Sequence, residues 1–301
     1  MMAKRLLVFD IIKIVGISMI VLLHMAIPTN LNWQWVLNTD LGILPRIPGP
    51  SVFGVGGMGG WGVFLFILAS GAVIEYAYGK KIRTIKFSEF ISKRLLRLYP
   101  AYWISILFAV AMVPALLNKD LIEWIRTISG FYVYLNPYIP FDTWTGGSIQ
   151  SMGWFIGCIV GLYFFYPMTT EFLSKYREGG LFAIGILSWG MSLALLPDES
   201  ISYWFPLTRL FTFALGIYLI QNELYPRWES PSLTTYLGEL TFYIFLVHFT
   251  FTPILTSNIP EKIPVFIITV LIFSILLFKI DLMLHNIITA YYDTKKTQVK
   301  I

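Results

Sequence analysis

Three residues in the first apolar stretch are of types that do chemistry: Asp10, Lys13 and His24. On a helix turning about 100° per residue, Lys13 and His24 fall about 20° apart, and Asp10 lies about 40° from His24 on the other side. The axial rise separates Lys13 from His24 by about 16 Å, so they cannot touch but can meet two ends of one long ligand. Histidine can take and return a proton near neutral pH. Two readings of this stripe stay open. In the plainer one, Asp10 and Lys13 pair or snorkel to the surface and His24 caps its helix.

Arg94 and Arg97 stand at i and i+3, on one face of a helix running from Phe87 into an apolar segment. Two guanidinium forks side by side suit a phosphate or pyrophosphate. A basic stripe beside a span equally contacts lipid head groups and sets topology. His248 is expected at a depth comparable with His24, where Arg209 could join both around an acceptor pocket. Glu75, Glu239 and Asp281 are expected toward the cytoplasmic side, as partners for Lys13 or the basic residues, and His285 near the interface.

Other chemistries are excluded. The three histidines lack HExxH spacing and Cys158 is the single cysteine, so no metal site and no internal disulfide is expected. The glycine-rich run 54–62 lacks the Gly-Lys-Ser/Thr ending of a phosphate-binding loop and reads as close helix packing or a lip. There is no GxSxG elbow.

The elements that must position these residues follow from composition. Of 301 residues, 56% are hydrophobic and 13% charged, about half the charge of a soluble domain. This excludes a cytosolic enzyme, a disordered chain and a nucleic-acid-binding domain. The expected fold is all-α, a polytopic transmembrane helix bundle of about eight to ten spans. Apolar runs long enough to cross lie at 6–27, 55–78, 98–117, 151–168, 181–196, 204–220, 233–255 and 263–284. The segment 121–138 is apolar but short and carries Glu123 and Arg126; a re-entrant helix, an interfacial helix and a span are all compatible with it.

The excess of lysine and arginine (net charge +5) falls beside spans. The segment 79–97 holds Lys80, Lys81, Arg83, Lys86, Lys93, Arg94 and Arg97 against Glu89, so it is expected as a cytoplasmic basic loop, with both termini on its side. The segment 118–150 is then an outer loop. No cleaved signal peptide, separate soluble domain or internal repeat is expected, and residues 1–301 read as one integral-membrane domain.

Several motifs, in order along nearly the whole chain, resemble the integral-membrane acyltransferase family 3. Lys13 and His24 match that family's basic residue and histidine with ten residues between. Gly60-Trp-Gly-Val-Phe-Leu-Phe-Ile-Leu-Ala-Ser70-Gly71 is similar to its second-span stretch, and Arg94-Leu-Leu-Arg97 with Tyr99-Pro100 to its R-x-x-R-x-x-P pattern. Trp154 with Tyr163 and Pro167 resembles the central span, and Leu237-Gly through His248 the late Y-x-x-x-x-H helix. Two positions depart. Ile159 and Val160 stand where many members carry a glutamate, and Lys13 replaces a frequent arginine. The Trp-Phe-Ile form looks more like the branch that modifies exopolysaccharides and surface glycans.

The resemblance implies transfer of an acyl group, commonly acetyl, from cytoplasmic acyl-CoA to a hydroxyl or amine of a sugar, glycolipid or polysaccharide. Acetyl-CoA or another acyl-CoA would be a donor substrate, with no tightly bound cofactor; membrane lipids and a carbohydrate or glycolipid acceptor are the partners, and nucleic acid is not. His24 is then the catalytic candidate, as general base or acyl carrier. Lys13, Arg94 and Arg97 would hold CoA phosphates, and His248, Arg209, Ser70 and Trp154 would line the substrate site. The alternative is a transporter or flippase of a polysaccharide or lipid-linked glycan, which the missing repeat and missing broken-helix pair count against.

Overall fold

A long apolar run in lipid must pair its backbone N–H and C=O groups within the segment, which the α-helix alone does for a single segment. The computed structural model, which describes residues 5–29, 57–131, 150, 152–194, 205–255 and 262–298, is accordingly all-α. Its helices are α1 (Leu7–Thr29), α2 (Gly57–Tyr78), α3 (Phe87–Met112), α4 (Leu121–Ser129), α5 (Gly153–Ala194), α6 (Pro206–Gln221), α7 (Ser232–Val247) and α8 (Lys262–Gln298). Short 3₁₀ segments cover Pro114–Asn118 and His248–Leu255. Among the described residues, six segments are long and apolar enough to cross a membrane: those of α1, α2, α3, α5, α8, and α7 with the 3₁₀ turn after it.

Three details differ from the expected segments. The helix read from Phe87 through Arg94 and Arg97 is continuous with the third apolar run as α3, so that element starts before residue 98 and the basic segment 79–97 ends in helix. The spans expected at 151–168 and 181–196 join as one helical run, broken into two arms at Arg177 (φ 48°, ψ −122°). Within 121–138, the described helix α4 has nine residues and is too short to cross a core about 30 Å thick. Asp120 caps its start by accepting from the Glu123 N–H at 2.7 Å, and Gly130 (φ 73°) ends it. It presents Leu121, Ile122, Ile125 and Ile128 outward. Tyr99, Tyr102 and Trp103 of α3 donate to its last carbonyls. Residues 132–138 lie outside the described residues.

The helices touch in a closed circuit: α1 packs on α2, α2 on α6, α6 on α5, α5 on α3, α3 on α8, α8 on α7, and α7 back on α1. Close approach at one seam depends on small residues. A Cβ on Gly62 would lie 2.5 Å from the Gly16 carbonyl oxygen, so α1 and α2 touch backbone to backbone there. The described end of the glycine-rich run is thus a packing seam; residues 54–56 lie outside the described residues.

Glu75 departs from expectation. It is buried on α2, where its carboxylate accepts from Tyr166 Oη (2.8 Å) and Thr170 Oγ1 (2.7 Å) of α5 and from Gln221 Nε2 (3.0 Å) of α6. It ties three helices together instead of pairing with Lys13 or the basic segment, because its face of α2 turns toward α5 and α6.

Candidate active site

Inside the circuit, α1, α2, α3, α5 and α7 enclose a cavity of about 390 Å³. That lies within the range of small-molecule pockets, about 300–1,000 Å³. Its wall carries four cations (Arg5, Lys13, Arg94, Arg97) against two carboxylates (Asp10, Glu239), and otherwise small, aliphatic and aromatic side chains, Ser70 and Tyr163 among them. The balance favours an anion.

Asp10 is the hub of this wall. It is 2% exposed, and its Oδ1 accepts from Arg5 Nη2 and Lys13 Nζ, both at 2.7 Å. Arg5 Nη1 also donates to Glu239 Oε1, joining the start of α1 to α7. The approach requires Gly238, since a Cβ there would lie 2.5 Å from Asp10 Oδ1 and 2.8 Å from Asp10 Cβ. Across the cavity, Arg94 Nη2 donates to Tyr78 Oη at 2.6 Å, with the guanidinium 4.6 Å from the Tyr78 ring centroid. Arg97 lies 3.8 Å from Asp281 Oδ2 and its side chain is 46% exposed, so this end of the cavity reaches the surface. Asp10 Oδ2 and Arg94 Nε are buried with no hydrogen-bond partner among the described residues, so the wall keeps an acceptor and a donor in reserve.

About 16 Å further along α1 by helix rise stands His24. Its Nδ1 lies 2.8 Å from Nε2 of His248, and the rings stack with centroids 5.0 Å apart. His248 is fully buried at the switch from α7 to the 3₁₀ turn, and its Nδ1 faces the carbonyls of Phe245 (2.9 Å) and Ile244 (3.1 Å). The Ile244 carbonyl also accepts the His248 backbone N–H, and a carbonyl oxygen has a second lone pair with which to accept from the ring. Since a carbonyl can only accept, His248 Nδ1 carries a proton; in the neutral ring Nε2 is then the acceptor for His24 Nδ1–H. That tautomer leaves the lone pair of His24 on Nε2, where it can take a proton.

The acyltransferase 3 family model, described as an acyltransferase domain, matches residues 6–229. The chain belongs to this family. It is a membrane acyltransferase. No curated protein and no solved structure matches the chain.

The matched segment of this acyltransferase contains Lys13, His24, Ser70, Arg94, Arg97, Trp154 and Arg209 but stops before His248, Gly238 and Glu239. The structure brings Lys13, Ser70, Arg94 and Arg97 to one cavity and joins His24 to His248 beyond it. Arg209 is fully buried on α6, and Trp154 is buried edge-on to Phe155; neither lines the cavity. The plain reading of the stripe holds in one half: Asp10 and Lys13 do pair. His24 is not a terminal cap, because α1 continues to Thr29. Arg5 and Tyr78, neither of which the sequence reading placed at the site, complete the cavity's polar wall or its support. A basic residue five positions before an aspartate set in an apolar run was the available signal for Arg5. No carboxylate was legible as an orienting partner for His24, and the structure supplies a histidine instead. Among the described residues no group of histidine, cysteine and carboxylate could hold a metal ion.

Proposed function

We propose that this acyltransferase moves an acetyl group from acetyl-CoA, with its phosphates at the Arg94–Arg97 end of the cavity, to a hydroxyl of a carbohydrate or glycolipid near His24. The observation that carries the reading is the 2.8 Å His24–His248 contact, set along one helix from a cavity with a cationic wall. Arg94 and Arg97 would meet the phosphates, with Lys13 deeper in, and the pantetheine arm would run along the α1 stripe. The 16 Å rise from Lys13 to His24 is the span it has to cover.

His24 Nε2 takes the proton of the acceptor hydroxyl as its oxygen attacks the thioester carbonyl. A C–O bond forms, the C–S bond breaks, and the proton passes to the departing CoA sulfur, leaving an ester and free CoA. His248 accepts the Nδ1–H throughout and keeps the ring turned for this exchange. The cationic end would face the cytoplasm and the histidine end the opposite side, as the excess of lysine and arginine in 79–97 supports. The Trp154-Phe-Ile form supports a surface-glycan acceptor, and with Ile159 and Val160 at the family's glutamate position no step is assigned to a carboxylate there.

The test supplies labelled acetyl-CoA and an extracted glycan fraction to proteoliposomes of the protein. Label should pass to the glycan, and His24→Ala should lower the rate about 10²- to 10⁴-fold, the usual worth of a general base. Denatured protein recovered without acceptor should carry no label. Full turnover by His24→Ala would refute the role of His24. Glycan crossing the bilayer with no dependence on acetyl-CoA would refute the acyl-transfer reading in favour of transport.

A further inference from the structure

The cavity stops short of the histidine pair. Its deepest wall on α2 and α5 is Phe66 and Phe155, whose rings meet edge to face at 6.3 Å. Both touch Phe245 of α7, at 6.0 and 4.8 Å between centroids, and Phe245 in turn lies 5.9 Å from the His248 ring. All three phenylalanines are buried. On α1, Ile17 and Ile20 fill the same level between Lys13 and His24, and both are buried. Three rings from three helices therefore occupy the route that a thioester has to take from the cationic end to His24.

We propose that Phe66, Phe155 and Phe245 form an aromatic stop between the cavity and the histidine pair, and that this stop determines which acyl chain is accepted. The inference rests on the donor reading above. Parting three rings far enough for a two-carbon group displaces little side-chain volume. A longer chain has to find room that the rings already fill, and a close-packed interior yields that room only at the expense of its own contacts. The acyl group is the leading end of the pantetheine arm and has to pass the rings first. The stop therefore favours short acyl groups, while CoA, which ends in a thiol, presents no chain to it.

The experiment measures binding of CoA and of non-transferable S-ethyl-, S-butyl- and S-hexyl-CoA thioethers to the protein in nanodiscs. In the wild type, affinity should stop rising beyond S-ethyl. Phe155→Ala should tighten binding by up to about fourfold for each further methylene it can bury, the transfer value of a CH₂ group. CoA affinity should change by less than that of the S-hexyl thioether, because CoA carries no chain for the opened space to bury. Phe155→Leu, a milder change, should move the profile the same way by less. Identical chain-length profiles in wild type and both variants, with CoA bound equally, would overturn the stop.

A second arm does not depend on CoA. With Cys158→Ala as background, Ile20→Cys should react slowly with a charged thiol reagent, and at least about tenfold faster when Phe155→Ala is added, because burial limits access. Equal rates would also overturn the stop. Failure of every protein to bind CoA would count against the donor reading alone, and the thiol rates would still decide the stop.

Discussion

If His248 holds His24 in one tautomer, its replacement should separate hydrogen-bond acceptance from every other property of the ring. His248→Leu fills most of the same volume but leaves His24 Nδ1–H facing no acceptor, where a nitrogen now stands at 2.8 Å. Leaving a buried donor unsatisfied costs about 1–3 kcal/mol. At 1.36 kcal/mol per factor of ten, that is a fall of roughly 5- to 150-fold in kcat if the cost appears in the transition state. His248→Gln can place its side-chain oxygen where Nε2 was, but it cannot hold or pass a proton. It should therefore retain kcat to within about tenfold, the remaining loss being its extra side-chain freedom. The assay is initial-rate transfer of labelled acetyl from acetyl-CoA, with kcat and KM measured separately and melting temperature as a control. KM for acetyl-CoA should barely move, because His248 lies outside the cavity lining. Equal loss in Gln and Leu would show that His248 moves a proton or merely packs. Full activity in both would show that the contact does not orient His24.

Two further perturbations probe the donor end. Arg94→Ala and Arg97→Ala should each raise KM for acetyl-CoA, with affinity of the wild type falling as salt is raised, since exposed charge contacts are screened; titration at two ionic strengths checks this. Arg94→Lys should recover only part of the loss, because the flat guanidinium also lies against the Tyr78 ring and donates to its hydroxyl. Gly238→Ala should force α7 away from α1, since its Cβ would meet Asp10 Cβ at 2.8 Å. A thermal melt should show a loss of about 1–3 kcal/mol, the usual cost of overpacking.

Much of the fold was legible because lipid allows few solutions: long apolar runs had to be helices, and each of the eight expected runs holds helix among the described residues, with shifted ends. Two of them share α5, and α6, of 16 residues, is not among the six segments long enough to cross. The ends moved where amphipathic turns extend beyond the apolar core, as at 87–97, where a basic segment continues the helix of its span. The depth and face of Asp10, Lys13 and His24 followed from helical spacing on one element. Their partners did not. Glu75 was expected to meet cations and instead accepts from Tyr166, Thr170 and Gln221, because periodicity gives a face but not the neighbour it turns toward.

By itself, the sequence determined that this is an all-helical membrane protein, that a histidine and a lysine share one stripe about 16 Å apart, and that its motifs are those of a membrane acyltransferase. Those properties are local: they depend on composition and on spacing within one segment. Only the tertiary structure decided that Asp10 gathers Arg5 and Lys13 against α7, and that His24 has His248 as its partner across 224 residues of chain. It also decided that three phenylalanines stand between the cavity and that pair. The physical reason is that which helix faces become neighbours is set by packing of the whole circuit, including glycine seams such as Gly16–Gly62 and the gap at Gly238, and no single helix carries that information.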